Sequence, residues 1–142
     1  MTISTIRHDA FIASPTGTDG ETFVLHGSNI RATLFGLSNN TTFIHGSNNG
    51  LLLSTDSNES IVDRGRGTQI SDAFAQGNTN IYGFQNDSTG SFTMMFMTTA
   101  NLQASMRPDG HGGTMVGTGG FTVDFVGAAH LDPAQLHGIV PV

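Results

Sequence analysis

The residues best suited to chemistry are four acids, Asp56, Glu59, Asp63 and Asp72, with Arg64 and Arg66 among them. Oxygen ligands so closely spaced suggest a hard cation such as calcium, which takes six to eight oxygens. Clustered Asp beside Arg could also perform acid/base work on a polysaccharide, provided the carboxyls were held at a fixed separation. These acids stand among turn formers, STDSNES at 54–60 and DRGRG at 63–67, where a carboxylate more commonly caps a loop amide. The histidines, His8, His26, His45, His111, His130 and His137, show no His-x-His or HExxH spacing. His26 and His45 are spaced so that they would come close in a repeated structure. There is no G-x-S-x-G elbow and no local grouping of Ser, His and Asp. The residues therefore predict no catalytic site, no cofactor and no metal, with calcium at Asp56, Glu59, Asp63 and Asp72 as the alternative.

The elements that must position these groups follow from composition and spacing. The chain has 142 residues, enough for one domain with a core. Lys and Arg number 5 against 11 Asp and Glu, a formal charge of −6, so no basic footprint for nucleic acid or an anionic membrane exists. No stretch reaches the ~18 apolar residues of a membrane span. With 19 Gly, no Cys and many Asn, Thr and Ser, the chain favours turns and strands and has no disulfide framework. The segment MTISTIRHDAFIASPTGTDG lacks an apolar run behind a basic start, so no cleaved amino-terminal signal is expected.

Large apolar residues recur every nine positions at Leu25, Leu34, Phe43, Leu52, Ile61 and Ile70. Neither the helical period nor the strand period alone gives that interval. Between them lie turn segments such as HGSN at 26–29, GLSNN at 36–40 and HGSNN at 45–49. Each nonamer reads as a short strand and a tight turn, and two nonamers as one eighteen-residue coil. The expected fold is all-β: a short two-sided parallel β-solenoid of nine-residue half-coils, followed by a strand-rich carboxyl-terminal cap. The six anchors would form its core ladder, with Leu25, Phe43 and Ile61 stacked opposite Leu34, Leu52 and Ile70. The beat fails at Thr79 and resumes at Ile81, which suggests an insertion near Gly77. Turn asparagines, among them Asn29, Asn48, Asn49, Asn58, Asn78 and Asn80, would hydrogen-bond along the stack.

This nine-residue design resembles the β-roll of the RTX family of secreted bacterial proteins, whose repeat is G-G-x-G-x-D-x-U-x with U buried. The resemblance covers about residues 17–84, with U on the six anchors. It implies an extracellular protein, exported by type I secretion through an uncleaved carboxyl-terminal signal. The family's calcium-binding Asp falls at Phe23, Ala32, Thr41, Gly50, Glu59 and Thr68 here, and only Glu59 is a carboxylate. The calcium positions are thus degenerate.

Beyond residue 84 the beat stops. SFTMMFMTT at 91–99 reads as a strand with Phe92, Met94 and Phe96 on one face and Thr93, Met95 and Met97 on the other, so both faces need covering. Residues 101–127 read as two or three more strands with PDGHGG as a turn and Phe121, Val123 and Phe125 on one face. Asp132, Pro133 and Gln135 mark the start of a short terminal helix with Gly138 past its end. The expected divisions are an arm at 1–14, solenoid repeats at 15–84 and a cap at 85–142. Open solenoid ends invite strand addition. Ile3, Ile6, Phe11 and Ile12 of the arm, with Met95 and Met97, are the expected assembly interface of a head-to-tail homopolymer, an extracellular filament or biofilm-matrix element. The alternatives are a calcium-dependent module adhering to cell-surface polysaccharide and a solenoid enzyme acting on polysaccharide.

Overall fold

The computed structural model describes residues 3–13, 20–54, 58–73 and 77–140. Strands β1 (Ile3–Ile6) and β2 (Ala10–Ala13) are followed by β3 (Thr22–His26), β4 (Arg31–Phe35), β5 (Thr41–His45), β6 (Gly50–Ser54), β7 (Glu59–Asp63), β8 (Gln69–Asp72) and β9 (Gly77–Tyr82). Then come β10 (Ser91–Met95), helix α1 (Thr99–Ala104), β11 (Arg107–Pro108), β12 (Thr114–Val116), β13 (Phe121–Val126) and β14 (Leu136–Ile139). They form two sheets, ordered β1-β3-β5-β7-β9-β13-β12-β11 and β14-β10-β8-β6-β4-β2. Every pairing is parallel except those of β12 with β11 and β13. The chain is a β-solenoid of about four turns, as its turn and strand pattern requires.

The coil, however, is nineteen residues long rather than eighteen. Thr22 pairs with Thr41 and Arg31 with Gly50, and the corner bond from Ile30 N to Asn49 Oδ1 spans 19 residues. Half-coils of nine and ten alternate, so a strict count of nine drifts by one residue per coil. One residue of drift in a strand turns a side chain to the other face. Leu25, Leu34, Ile61 and Ile70 are buried as expected, but Phe43 and Leu52 point outward and are only half-buried. Their inward neighbours Ile44 and Leu53, 0% and 1% exposed, take the core positions. The real stacks are Ile6–Leu25–Ile44 and Phe23–Thr42–Ile61–Ile81–Phe125 in one sheet. Ala10–Ala32–Leu51–Ile70–Phe92–Leu136 and Ile12–Leu34–Leu53 face them from the other.

The corners repeat at the same interval. Asn29 and Asn48 adopt left-handed backbone, φ 60° and 56°, which Asn tolerates through its local hydrogen bonding. Gly46 is required twice over, by φ 89° and because a Cβ there would collide with the Gly27 carbonyl of the coil before. Asn49 is fully buried, and its Nδ2 donates to the carbonyls of Gly27 and His45 while Oδ1 accepts from Ile30 N. Asn58 Oδ1 accepts from Asn78 N, and Asn78 Nδ2 donates to Asn80 Oδ1. Side-chain amides do tie coils together, though Asn29 and Asn48 contribute backbone shape instead.

The expected divisions at 14 and 84 do not interrupt the sheets. β1 pairs with β3 and β2 with β4, so the amino-terminal arm is the first rung of the solenoid. At the other end β13 pairs parallel with β9, and β10 and β14 extend the second sheet, so the solenoid runs on under the cap. The step from Ile61 to its partner Ile81 is one residue longer than a standard coil, consistent with an insertion before β9. Phe92 and Met94 enter the core, but Phe96 turns outward at φ 67° and is 53% exposed. Residues 99–104, within the segment expected as strand, are helix α1, capped by Thr98 Oγ1 accepting from Asn101 N. PDGHGG is the β11–β12 turn, and Val123 and Phe125 are buried with Phe121 packed beside them. The terminal helix is a single 3-10 turn, Pro133–Gln135, with Asp132 Oδ1 accepting from Ala134 N; the residues after it form β14 rather than a free tail.

The shifted ladder has a direct test. Leu53→Ala should cost about 2–5 kcal/mol in urea unfolding. Leu52→Ala, one residue away on the outer face, should cost no more than about 1 kcal/mol. Equal losses would be inconsistent with a nineteen-residue coil.

Candidate functional site

Two places hold the residues that sequence singled out: the interior beneath β7 and β8, and the first rung. Glu59 and Asp63 lie on the inward face of β7 and Asp72 on that of β8, exposed by only 2%, 4% and 1%. These are core carboxyls, not the solvated turn acids that sequence suggested. Asp56 lies outside the described residues. Among the described residues no three His, Asp or Glu side chains converge as a metal would require. Glu59 Oε2 accepts from Asn40 N, joining adjacent coils at a 19-residue interval.

Asp63 is paired with Asp87, an acid that sequence did not single out. Asp63 Oδ1 accepts from Gly65 N and Thr68 Oγ1. Asp87 accepts from Gly67 N, Thr68 N and, more weakly, Thr89 Oγ1. Of two carboxyls in contact, the second ionises against the charge of the first, so one of them is pushed up. Burial, followed by the bond to Asp87, pushes Asp63 up to about 7. Burial works the other way on Asp87 but is outweighed by the hydrogen bonds it accepts from Asp63, Gly67 and Thr68, which hold it below the usual carboxylate range. The pair shares a proton and fixes the 64–68 corner. Asp72 is pushed up to about 7 by burial, against a weak bond from Thr79 Oγ1 at 3.5 Å, and its Oδ1 has no hydrogen-bond partner.

A second pair, also missed from sequence, holds the PDGHGG turn. Asp109 Oδ1 accepts from His111 N and Gly113 N, and its bond with Asp124 lowers it below the usual range. Desolvation, then Asp109, raises Asp124 to about 6. In each pair the partners that accept backbone amides, Asp63 and Asp87 in the first and Asp109 in the second, tie a corner or turn, while Asp63 Oδ2 and Asp124 Oδ1 are buried without a hydrogen-bond partner outside the pair. A one-coil spacing could have found Asp87: Ile30, Asn49, Thr68 and Asp87 are the successive corner positions. Nothing at a fixed interval marks Asp109 or Asp124.

Arg64 sits with its guanidinium 5.2 Å from the Phe43 ring centroid, on the outer face. His26 and His45 come together as neighbours in register, ring centroids 6.3 Å apart. A shallow cavity of about 390 Å³ is lined by Asp63, Arg64, Arg66 and Asn86, with Asp63 the one carboxyl among its described lining residues.

The six expected interface residues divide between the two ends. Ile3 and Phe11 project outward from the first rung, 67% and 69% exposed. Ile6 is buried against Leu25, whereas Ala10 and Ile12 are only partly covered. Met95 and Met97 stand half-buried at the far end, Met97 against the core. β1 and β2 are the outermost strands of their sheets, with no proline and no charged side chain. Such an edge lacks the usual devices that block strand addition.

The far end is different. Its last strand in one sheet, β14, has Gly138 N donating to Thr99 Oγ1 at 2.9 Å, and that hydroxyl faces the Gly138 carbonyl at 3.4 Å. Leu136 N donates to Pro133 O. In the other sheet the antiparallel pair β12 and β11 ends on Pro108, which has no N–H to offer. Helix α1 and the β11–β12 hairpin thus act as caps on this end. Comparison with protein-family models, curated proteins and solved structures finds no match. Among the described residues no helix is long and apolar enough to cross a membrane.

The buried acids predict an unusual pH dependence. Asp63 and Asp72 bind protons more tightly folded, near 7, than at their ordinary value of 3.8. Their contribution to stability is therefore present at low pH and lost as pH rises from about 4 to about 7. The melting temperature should be higher at pH 5 than at pH 8, and Asp72→Asn should raise stability at pH 8 by roughly 2 kcal/mol while flattening the profile. Below the ordinary carboxylate range the sign reverses, because Asp87 then loses its ionised form. A wild-type melting temperature that climbs steadily from pH 5 to pH 8 would contradict the burial of both acids in their neutral form.

Proposed function

We propose that the protein is a non-catalytic structural module that self-associates through its first rung, the resulting unit serving as a building block of an extracellular filament or surface matrix. The observation that carries this reading is the pair of uncharged, proline-free edge strands β1 and β2, with Ile3 and Phe11 standing 67% and 69% exposed beside them. Unsatisfied strand edges gain main-chain hydrogen bonds when another strand is added, and flanking apolar side chains gain burial. The amides that Asp63, Asp87 and Asp109 accept, which hold a corner and a turn, support a structural role for these acids. The extracellular part of the reading draws on the resemblance of the short half-coils with Gly/Asn turns to RTX β-rolls.

A second reading, a polysaccharide-adhering module, draws on the outer face of the first sheet. There Val24, Phe43, Val62 and Tyr82 form one row and Thr22, Thr41 and Ser60 another, at successive rungs. Aromatic and hydroxyl rows of that kind suit a sugar chain lying along the coil axis. Calcium remains the cofactor tied to that reading through its RTX likeness.

Sedimentation velocity over a wide concentration range, with calcium and with chelator, separates these readings. Mass action toward a larger species in both conditions is the expected result. A monomer at every concentration that binds a polysaccharide column only with calcium would replace the first reading by the second.

A further inference from the structure

The two ends of the solenoid are chemically unequal, and this constrains what the first rung can meet. A head-to-tail partner would have to offer the far end, but there Gly138 is engaged by Thr99, Leu136 N by Pro133, and the other sheet stops at Pro108. Covering β1 and β2 together takes an object with two strand edges set one core apart, about 10 Å. Among the described residues only one surface has that form, the first rung itself.

We propose that the first rung docks on the same rung of a second copy of this chain, head to head about a two-fold axis, closing a dimer. The inference rests on the reading of the protein as self-associating. In a solenoid coil β1 and β2 run in opposite directions on opposite sheets. A two-fold axis parallel to the strands sets β1 against β2 of the second copy, antiparallel, and β2 against its β1. Antiparallel pairs are at least as stable as the parallel rungs behind them. The inward face of β1 carries Ile6 and Ser4, so with the corners overlaid the half-covered Ala10 receives Ile6 of the second copy and Ile12 meets its small Ser4.

Charge selects this axis. The corner joining β1 and β2 holds Arg7 and Asp9, both exposed, on the two sides of the turn. Asp9 is held in place by its Oδ1, which accepts from Arg31 N at 2.8 Å. A rotation about the strand direction lays one corner over the other and exchanges the two sides, so Arg7 faces Asp9 of the second copy and Asp9 faces its Arg7. A two-fold axis normal to the sheets would instead carry the corners to opposite ends of the interface and leave these charges without each other. Isologous interfaces of this kind use one patch twice and do not propagate.

The absence of cysteine makes the geometry measurable with single spin labels in the full chain. Label one variant at Thr5→Cys on the exposed face of β1 and another at His137→Cys on β14, confirm that both melt like wild type, and measure inter-copy distances by pulsed dipolar spectroscopy. The six-stranded sheet that carries β14, at roughly 4.8 Å per strand, is about 30 Å long. Head-to-head docking puts the Thr5 labels on opposite outer faces of the joined core, separated by the sheet gap of about 10 Å plus the two label arms, and the His137 labels about 50 Å apart. Head-to-tail stacking gives about 30 Å for both. Arg7→Glu should weaken the dimer at least tenfold, with the loss steepest at low salt, whereas Ile139→Lys at the far end should leave it unchanged. A short His137 distance, equal distances at the two sites, or a species that grows without limit would overturn head-to-head docking while leaving self-association standing. A wild-type monomer at all concentrations would overturn both.

Discussion

Everything in this molecule depends on stacking one nineteen-residue coil on the next with corner peptides in contact. Gly46 lies so close to the Gly27 carbonyl that no side chain fits, and Asn49 bonds across the gap to Gly27 and Ile30. A parallel sheet has no hairpin to set its register, so these corners do that work. With the corners fixed, the inward positions of each strand fall into vertical stacks whose lower and upper members are already in van der Waals contact. The thin core, about two side chains deep at each rung, is made continuous by repetition rather than by thickness.

The same stacking explains why acids stand in the core. Asp63 lies in register with Ile44, and Asp72 with Leu53, at positions where earlier coils place an aliphatic group. An ionised carboxylate there would be strongly disfavoured. The chain accommodates them by holding protons: Asp63 shares one with Asp87, whose ionised form is satisfied by corner amides, and Asp72 is kept neutral by burial. The transition from regular repeat to cap begins at this level, and the acids form part of the seam between them.

The unequal ends follow from the same architecture. A parallel stack necessarily finishes on bare strand edges, and each end needs its own solution. At the far end the chain spends its last third on one, with a short helix whose Thr99 hydroxyl bonds like a neighbouring strand and a hairpin closed by proline. The first rung carries no such device among the described residues, only uncharged strands and two oppositely charged corner residues. An asymmetry of this kind favours associations that use one end twice.

The sequence by itself determined the architecture, because apolar residues at fixed intervals between Gly and Asn turns can be satisfied only by a stack of short strands. It also located the PDGHGG turn, the proximity of His26 and His45 and the capped turn at Asp132, whereas the segment it read as a free arm at 1–14 supplies strands of the solenoid's first rung. It did not determine the coil length, since counting by nines through Phe43 and Leu52 looks as regular as the true alternation of nine and ten. Only cross-strand pairing decides which of two adjacent apolar residues, Leu52 or Leu53, faces inward. Tertiary structure alone placed Glu59, Asp63 and Asp72 inside, joined Asp63 to Asp87 across a coil, and turned residues 99–104 into a helix over β14. The physical reason is the same in each case: local propensity reads one strand or turn at a time, whereas burial, shared protons and edge capping are set by residues nineteen or more positions away.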